Sequence, residues 1–274
     1  MTWQGDDFHP ERIGIMGWLR LIWRAPVLLV INFGCLVLLC LVRLIEQPIF
    51  GMRRPITPWI TQFVCVSSLW VMGLRLRQKG KAMQEPGALV ANHGSWLDIY
   101  TLNACARIYF VSKADVARWP GIGWLARATG TVFINRRPGE ARAQQELFEA
   151  RLRAGHHLLF FPEGTSTDGQ RILPFKSTLF AAFFAPDLKD SMSIQPVSVV
   201  YHAPRGKDPR FHGWWGGMPF GPHFKQMMGA PRGGAVDVIF HDPIRVADMQ
   251  DRKRLAAEAE TAVRAGHPSG GNPA

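Results

Sequence analysis

The sequence predicts an α/β protein, a layered mixed sheet flanked by helices, with an N-terminal membrane-associated helical hairpin. From residue 88 onward, short and nearly continuous apolar runs alternate with segments of helical periodicity, a pattern typical of strands that are buried on both faces of a layered sheet. Before residue 80, two longer apolar runs are bordered by basic residues. The 274 residues are enough for one large domain with an appendage.

Residues 1–80 are predicted to form the membrane-associated hairpin. The strongest apolar run covers residues 27–42 and is shorter than the roughly 20 residues that a spanning helix needs. A second, less apolar run covers residues 59–74, and basic residues flank both runs. Because this distribution lacks the charge asymmetry of a clean crossing, we expect two helices that dip into one leaflet. A single transmembrane anchor through the first run is the alternative.

Residues 81–265 are predicted to form the sheet domain, and residues 266–274, rich in Gly and Pro, a disordered tail. The predicted strands cover residues 88–91, 108–111, 131–134, 157–161, 194–200 and 235–241. The predicted helices cover residues 98–106, 121–128, 138–154, 177–185 and 249–265. Residues 204–231, rich in Gly, Pro, Trp and His, are predicted to be a long loop.

The composition indicates an anionic partner. Lysine and arginine exceed aspartate and glutamate by 32 to 21, and ten tryptophans and seventeen phenylalanines favour a membrane surface with anionic lipids, because aromatic and basic residues together mark the interface. Motifs of nucleic-acid-binding proteins are absent from the sequence, so we expect no nucleic-acid partner. The four cysteines have no zinc-site spacing; they predict reduced thiols in a cytoplasmic setting and no metal.

Residues 92–98, Asn-His-Gly-Ser-Trp-Leu-Asp, carry the first motif. His93 follows a predicted strand, and the carboxyl ends of strands are where α/β sheets bind ligands. Asp98 falls at the start of the next helix, where it can accept the Nδ1 proton and leave Nε2 as a general base for a hydroxyl. Alternatively, Asn92, Ser95 and Asp98 are only turn and cap residues.

Residues 161–166, Phe-Pro-Glu-Gly-Thr-Ser, carry the second motif. Pro162 ends the predicted strand and Gly164 allows a tight turn. Glu163 is then at the sheet edge, where it can accept hydrogen bonds from hydroxyl or ammonium groups of a substrate, and backbone N–H groups after Gly164 can meet an oxyanion. The alternative is a strand-terminating turn with a solvated glutamate.

Together with residues 132–136 and 194–197, these motifs resemble the four ordered blocks of the glycerolipid (lysophosphatidic-acid-type) acyltransferase family, over about residues 60–245. The resemblance implies transfer of a fatty acyl group from an acyl thioester to a lysolipid hydroxyl. It implies His93 as general base, Asp98 as its orienting partner and Pro196 as part of the cleft wall. The substrate-binding residues that we expect are Asn92, Ser95, Arg136, Glu163, Gly164, Thr165, Ser166 and Lys176.

The acceptor that we expect is lyso-ornithine lipid. The family's third block commonly ends in an arginine associated with the acceptor's phosphate, and Ser166 stands in its place, which weakens the case for a phosphomonoester. Residues 173–177 and 214–223 look most like the lyso-ornithine lipid acyltransferase branch, whose acceptor has an amino-acid head group and its free hydroxyl on a fatty-acid chain. Lysophosphatidic acid is the alternative, since Arg136 and Lys176 can bind a phosphate.

The expected chemistry needs no cofactor. The donor is an acyl-carrier-protein (ACP) or coenzyme A thioester, which is already activated, and the sequence has neither a G-x-S-x-G motif nor a cysteine beside His93. We expect the enzyme at the cytoplasmic face of the inner membrane. Two rival hypotheses are a metal-dependent hydrolase with His93, Asp98 and Glu163 as ligands and a non-catalytic membrane adaptor on the same fold.

Overall fold

A mixed sheet with helices on both faces organises the chain, which confirms the predicted α/β class. The structure is a computed structural model, and it describes residues 3–5, 8–134 and 141–268. The strands are β1 (Arg75–Lys79), β2 (Gly87–Ala91), β3 (Tyr109–Lys113), β4 (Val132–Ile134), β5 (Leu158–Phe160), β6 (Ser193–His202), β7 (Ala235–Phe240) and β8 (Ile244–Arg245). The helices are α1 (Ile15–Leu29), α2 (Cys35–Phe50), α3 (Thr57–Met72), α4 (Asp98–Cys105), α5 (Ile122–Ala128), α6 (Ala141–Arg153), α7 (Phe220–Gly229) and α8 (Arg252–Ala265).

The strand order brings three parallel strands together at the centre of the sheet. The order is β1-β7-β6-β2-β5-β3-β4, and β8 pairs with β6. Strand β2 is parallel to both of its neighbours, β5 and β6, whereas β7 is antiparallel to β6. The carboxyl ends of β6, β2 and β5 therefore meet at one edge of the sheet, which is where ligands bind in such folds.

Apolar residues fill a core on each face of the sheet. Along β2, Leu89 and Ala91 join the core that α3, α4 and α7 cover. Ala88 and Val90 join the core that α6 and α8 cover. Successive side chains of a strand point to opposite faces, so a strand between two cores must be apolar throughout, as β2 is.

The N-terminal helix is longer than its apolar run predicts. Helix α1, a π-helical segment at Val30–Gly34 and α2 run continuously from Ile15 to Phe50. These 36 residues span about 54 Å, and they form a helix that is apolar and long enough to cross a membrane. The apolar run at residues 27–42 predicted a shorter helix because Arg20 and Arg24 interrupt the apolar pattern upstream of it.

Those two arginines face the protein domain. Arg24 is 7% exposed, and its Nη1 donates to the carbonyl oxygens of Met228 (3.1 Å) and Ala230 (2.7 Å) at the end of α7. Arg20 Nη1 donates to the carbonyl oxygen of Gly229 at 3.3 Å. Cations suit this position because the C-terminal end of a helix is negative. The opposite face of the helix exposes large apolar side chains, among them Trp18, Leu19, Ile22, Trp23, Val30, Val37, Leu38, Leu41, Leu44 and Ile45.

Helix α3 is the second arm of the hairpin, and it also packs into the domain, which the sequence did not predict. Cys65, Leu69 and Met72 are buried in the core, whereas the side chains of Trp59, Phe63, Val66 and Trp70 are exposed. The buried carboxylate of Glu46 joins the two arms, because it accepts hydrogen bonds from the N–H groups of Ile56 and Thr57 and from the Thr57 hydroxyl. Like the long helix, α3 thus has an apolar face that is exposed on the outside of the protein.

Three segments differ from the sequence predictions. The predicted loop at residues 204–231 contains α7, whose apolar residues are interrupted by Gly and Pro. Strand β1 was not predicted because its Arg, Gln and Lys side chains are mostly exposed at the sheet edge. The tail predicted from residue 266 begins too early: His267 is 6% exposed, and its Nε2 lies 3.2 Å from the carbonyl oxygen of Gly169.

Candidate active site

The two motifs meet at the carboxyl ends of β2 and β5. His93 lies two residues after β2, and Glu163 lies three residues after β5. The loops touch through the N–H of Thr167, which donates to the carbonyl oxygen of His93 at 2.9 Å. They pass so closely that a Cβ atom on Gly94 would lie 3.0 Å from the Cα of Gly169. The expected convergence of the two motifs is present in the structure.

His93 and Asp98 form a hydrogen-bonded pair. His93 Nδ1 lies 2.7 Å from Asp98 Oδ2, and the side chains of His93 and Asp98 are 23% and 0% exposed. The imidazole stacks on Phe161 with ring centroids 4.0 Å apart and planes inclined by 13°. A carboxylate at Nδ1 favours the tautomer with its proton there, so Nε2 is the ring nitrogen able to accept a proton. The neighbours hold the ring in one plane.

Asp98 is itself fixed by further donors. Its Oδ2 accepts the N–H groups of Gly94 (3.0 Å) and Ser95 (3.1 Å), and its Oδ1 accepts the hydroxyl of Tyr201 on β6 at 2.6 Å. Burial, together with the Asp98 carboxylate, raises the pKa of Tyr201 well above its usual value, so this phenol stays protonated and remains a donor. Both oxygens of the buried carboxylate therefore have hydrogen-bond partners, as buried polar groups require.

Glu163 holds the backbone of His93. Its Oε1 accepts the N–H of His93 at 2.7 Å and its Oε2 accepts the N–H of Leu173 at 2.8 Å. Glu163 is 1% exposed, and burial raises its pKa to about 8, against the opposing effect of those two donors. In the structure, Glu163 thus links the backbone of His93 to that of Leu173, a contact that the sequence did not predict. The substrate-binding role of Glu163 stays a prediction.

Asn92 and Ser95 have structural partners instead of open faces. Asn92 Nδ2 donates to the carbonyl oxygen of Val199 at 2.9 Å, and its Oδ1 accepts the N–H of Val199 at 2.8 Å, which locks the end of β2 onto β6. Ser95 is fully buried, and its Oγ accepts the N–H of Leu97 at 3.3 Å. The turn-and-cap alternative describes the contacts of these two residues in the structure, and their substrate-binding role stays a prediction.

The turn after Glu163 has the shape that the sequence predicts. Gly164 has a φ of +72°, a left-handed conformation that favours glycine. Thr165 is 7% exposed, and its Oγ1 accepts the N–H of Trp3, near the start of the chain, at 3.4 Å. Ser166 is half-buried next to it. The contact with Trp3 had no signal in the sequence.

The remaining predicted residues are less closely tied to the pair. Lys176 is exposed, and its N–H donates to the carbonyl oxygen of Pro162 at 3.0 Å. Pro196 is buried in β6, in register with Val90 of β2. Arg136 lies outside the described residues. The substrate-binding roles of Lys176 and Arg136 stay predictions.

Tyr201 is the residue of the site that sequence reasoning missed. The available signal was a hydroxyl near the carboxyl end of an apolar strand, at residues 194–200 of the predicted sheet.

The three residues of the metal-site alternative have other partners in the structure. His93 and Asp98 bond to each other, and Glu163 bonds to two backbone N–H groups. In the part of the chain that the structure describes, no three His, Cys, Asp or Glu side chains are grouped to hold a metal ion.

The raised pKa of Glu163 predicts a pH-dependent contribution to stability. Its pKa is about 8 in the folded protein against an ordinary value of 4.5, so the folded state holds this proton more tightly. The contribution is therefore fully present below about pH 4.5 and is lost as the pH rises through about 8. We expect the free energy of unfolding of the wild type minus that of Glu163→Gln to fall between about pH 5 and pH 8.

Denaturant unfolding in detergent, followed by circular dichroism at several pH values, measures this difference. The subtraction removes the contributions of the buried His212 and His223, whose pKa values burial lowers to about 4. A difference that stays constant over this range would contradict the assignment.

Comparison with known proteins identifies the family. Residues 73–200 match the family described as Acyltransferase. The chain is 56% identical, over 265 residues that cover 96% of each chain, to a lyso-ornithine lipid O-acyltransferase of Rhodobacter capsulatus. It is 35% identical over 125 residues, 44% of this chain and 47% of the other, to a 1-acyl-sn-glycerol-3-phosphate acyltransferase of Neisseria gonorrhoeae.

A solved structure shares the fold. The 1-acyl-sn-glycerophosphate (LPA) acyltransferase PlsC from Thermotoga maritima superposes with a TM-score of 0.62 at 19% identity, covering 92% of this chain and 95% of that one. The motifs, the sheet and the similarity over nearly the full length agree. The chain therefore belongs to the acyltransferase family, and it is an enzyme that transfers an acyl group to a lysolipid.

Proposed function

We propose that this enzyme acylates the free hydroxyl of lyso-ornithine lipid, with His93 as general base, at the cytoplasmic face of the inner membrane. The observation that carries the proposal is the 2.7 Å contact between His93 Nδ1 and the buried Asp98 carboxylate, at the edge of the sheet where ligands bind. The acyl donor is an ACP or coenzyme A thioester. No cofactor enters this reaction.

The mechanism follows from the orientation of the imidazole. His93 Nε2 takes the proton of the acceptor hydroxyl, and Asp98 stabilises the imidazolium that forms. The oxygen attacks the carbonyl carbon of the thioester, a C–O bond forms, and the C–S bond breaks. The leaving thiolate takes the proton from the imidazolium. An enzyme nucleophile is unnecessary because a thioester is already activated.

The acceptor is inferred from the relative and from one position of the second motif. The relative with 56% identity over nearly the whole chain bears the name lyso-ornithine lipid O-acyltransferase. Ser166 carries no charge where the family commonly has arginine, which favours an acceptor without a phosphomonoester. Acylation of lysophosphatidic acid is the second candidate, supported by the relative with 35% identity over less than half of the chain.

The exposed apolar face of the two N-terminal arms supports association of the enzyme with a membrane. The helix at Ile15–Phe50 is apolar and mostly unburied, and Trp59, Phe63 and Trp70 of α3 are exposed as well. The net charge of +11 attracts anionic lipids, and it also favours an anionic acyl carrier. An insoluble acceptor would reach the active site from the bilayer.

Acyl transfer by the wild type and two histidine variants tests the proposal. Purified protein receives lyso-ornithine lipid or lysophosphatidic acid, each with acyl-ACP or acyl-CoA. We expect preferential acylation of lyso-ornithine lipid and a loss of about 10²- to 10⁴-fold in rate for His93→Ala, the usual size of a general-base contribution. His157→Ala is the matched control. His157 directly precedes β5, at the end of the strand away from the site, and its ring bonds to the carbonyl oxygen of Glu85.

Full activity of His93→Ala would remove the general-base assignment. Acylation of lysophosphatidic acid alone would replace the proposed acceptor and leave the base intact.

Tyr201 is expected to tune the pair as a positioning residue. Tyr201→Phe removes the hydroxyl that donates to Asp98 Oδ1 at 2.6 Å, so kcat should fall about tenfold, as for loss of a hydrogen bond to a charged group. A carboxylate with one donor fewer attracts the imidazolium more strongly. The acidic limb of the pH profile of kcat/KM should therefore move to higher pH.

Tyr100→Phe is the matched control, since it removes a tyrosine hydroxyl that donates to Asn32 Oδ1 at 3.0 Å and leaves Asp98 untouched. A purely structural Tyr201 would lower the midpoint of thermal unfolding without moving the acidic limb. Equal pH profiles and equal kcat for Tyr201→Phe and wild type would contradict the positioning role.

The long helix predicts how the protein fractionates. Leu38, Leu41 and Leu44 are 49%, 56% and 72% exposed on α2, and burial in lipid stabilises apolar side chains of this size. Replacing all three with Asn should shift the protein from the membrane pellet to the soluble fraction. Leu147→Asn on α6, where the leucine is 45% exposed, should not. An unchanged distribution of the triple variant, measured by ultracentrifugation and immunoblotting, would move the membrane contact elsewhere.

A further inference from the structure

The start of the chain forms a strap across the active-site edge. This N-terminal strap comprises residues 3–5 and 8–13. Its Trp3 N–H donates to Thr165 Oγ1 at 3.4 Å, and Trp215 Nε1 donates to the carbonyl oxygen of Gln4 at 3.1 Å. The ring of Phe8 stacks on Trp215 with centroids 5.5 Å apart. The strap is thus held against the loop that follows Glu163.

That loop, residues 164–171, lies directly on the general base. The N–H of Thr167 donates to the carbonyl oxygen of His93 at 2.9 Å, and Thr167 Oγ1 donates to the carbonyl oxygen of Arg171 at 3.1 Å. One residue therefore joins the backbone of His93 to the backbone of Arg171. The backbone from which the Arg171 side chain extends is thus fixed relative to that of His93.

The guanidinium of Arg171 has neighbours that position it, but its hydrogen-bonding capacity is only partly occupied. Its Nη2 lies 3.0 Å from Asp168 Oδ2, while Asp168 Oδ1 accepts the N–H of Gln170 at 3.0 Å. The Trp3 ring lies 5.1 Å from the guanidinium carbon. Asp168 is 3% exposed at its side chain, but Arg171 is 42% exposed. A guanidinium has five N–H donors, so a single oxygen of Asp168 leaves most of its capacity for a second anion.

A second arginine, which contacts the same strap, shows the contrast. Arg210 lies 5.0 Å from the ring of Phe8, and it also pairs with an aspartate. There Nε lies 3.0 Å from Asp208 Oδ1 and Nη2 lies 2.9 Å from Asp208 Oδ2. Both carboxylate oxygens thus occupy one edge of the Arg210 guanidinium. Asp168 contacts the Arg171 guanidinium through one oxygen, so Arg171 retains donors for a pairing through two parallel bonds like that of Arg210 with Asp208.

We propose that Arg171 binds the anionic group of the acceptor's head group, with Asp168 and Trp3 as its positioning residues. For lyso-ornithine lipid this anion is the carboxylate of the amino acid, so the inference rests on the proposed function for its ligand. A planar guanidinium binds a carboxylate or a phosphate through two parallel hydrogen bonds. Binding there would fix the head group while the hydroxyl on the fatty chain reaches His93.

Acceptor analogues and matched variants test the proposal. Wild type, Arg171→Gln and Arg210→Gln receive lyso-ornithine lipid, its carboxyl methyl ester and lysophosphatidic acid. We expect Arg171→Gln to raise KM for lyso-ornithine lipid about tenfold or more, the effect of losing hydrogen bonds to a charged group, with a smaller effect on kcat. Wild type should show the same rise with the methyl ester, and Arg171→Gln should no longer distinguish acid from ester. Arg210→Gln should behave as the wild type.

Two outcomes would overturn the proposal. In the first, the wild type acylates the ester and the free acid with equal KM, a result that needs no variant and holds even where Arg171→Gln fails to fold. In the second, Arg171→Gln impairs acid and ester by the same factor, which is the mark of a structural residue.

Failure of the proposed acceptor gives a different result. The wild type would then acylate lysophosphatidic acid and leave lyso-ornithine lipid unused. A raised KM of Arg171→Gln for lysophosphatidic acid would in that case support anion binding by Arg171 with phosphate as the ligand. An unchanged KM would end the proposal.

Discussion

The buried carboxylate of Asp98 is the constraint on which the arrangement of the active site depends. A charge without solvent is stable only where hydrogen-bond donors surround it. The donors are His93 Nδ1, the N–H groups of Gly94 and Ser95, and the Tyr201 hydroxyl. They come from the loop after β2 and from β6, so the carboxylate is satisfied only when β6 lies beside β2. The hydrogen bonds that orient the imidazole therefore depend on the pairing of β2 with β6.

A second buried acidic side chain, Glu163, holds the same histidine from its backbone side. Asp98 binds the imidazole, while Glu163 accepts the N–H of His93. Because Glu163 also accepts the N–H of Leu173, it ties together the two ends of the loop that lies over the base. The two motifs thus act as one unit: the first carries the proposed general base, and the second fixes its backbone and carries the neighbouring loop.

The sequence predicted those features that local patterns encode. Strands buried on both faces, such as β2, are apolar throughout, so their alternation with helices predicted the α/β class. The pairing of His93 with Asp98 was predictable because both follow one strand within a single turn. Tyr201 was not, because its contact with Asp98 joins residues 103 positions apart and depends on the strand order. Likewise, Arg24 interrupts an apolar run in the sequence, yet in the structure it bonds to the carbonyl oxygens that end α7. A one-dimensional pattern cannot tell an arginine that faces lipid from one that faces a helix end.

The proposed membrane contact and the proposed head-group selection involve one continuous segment of the chain. The strap that touches Arg171 through Trp3 ends at Ile13, two residues before α1 begins, so the chain runs from the strap directly into the long helix that exposes Trp18 and Trp23. Tryptophans of this kind prefer the level of the lipid head groups. Arg24 fixes the same helix to the domain through the end of α7. The helix can therefore set the depth of the domain in the interface, and the strap connects that helix to the residue that positions the Arg171 guanidinium. The acceptor would then be selected by the binding of its head-group anion to the Arg171 guanidinium. The hydroxyl that reaches His93 would be the one that lies at the matching distance from that anion along the lipid.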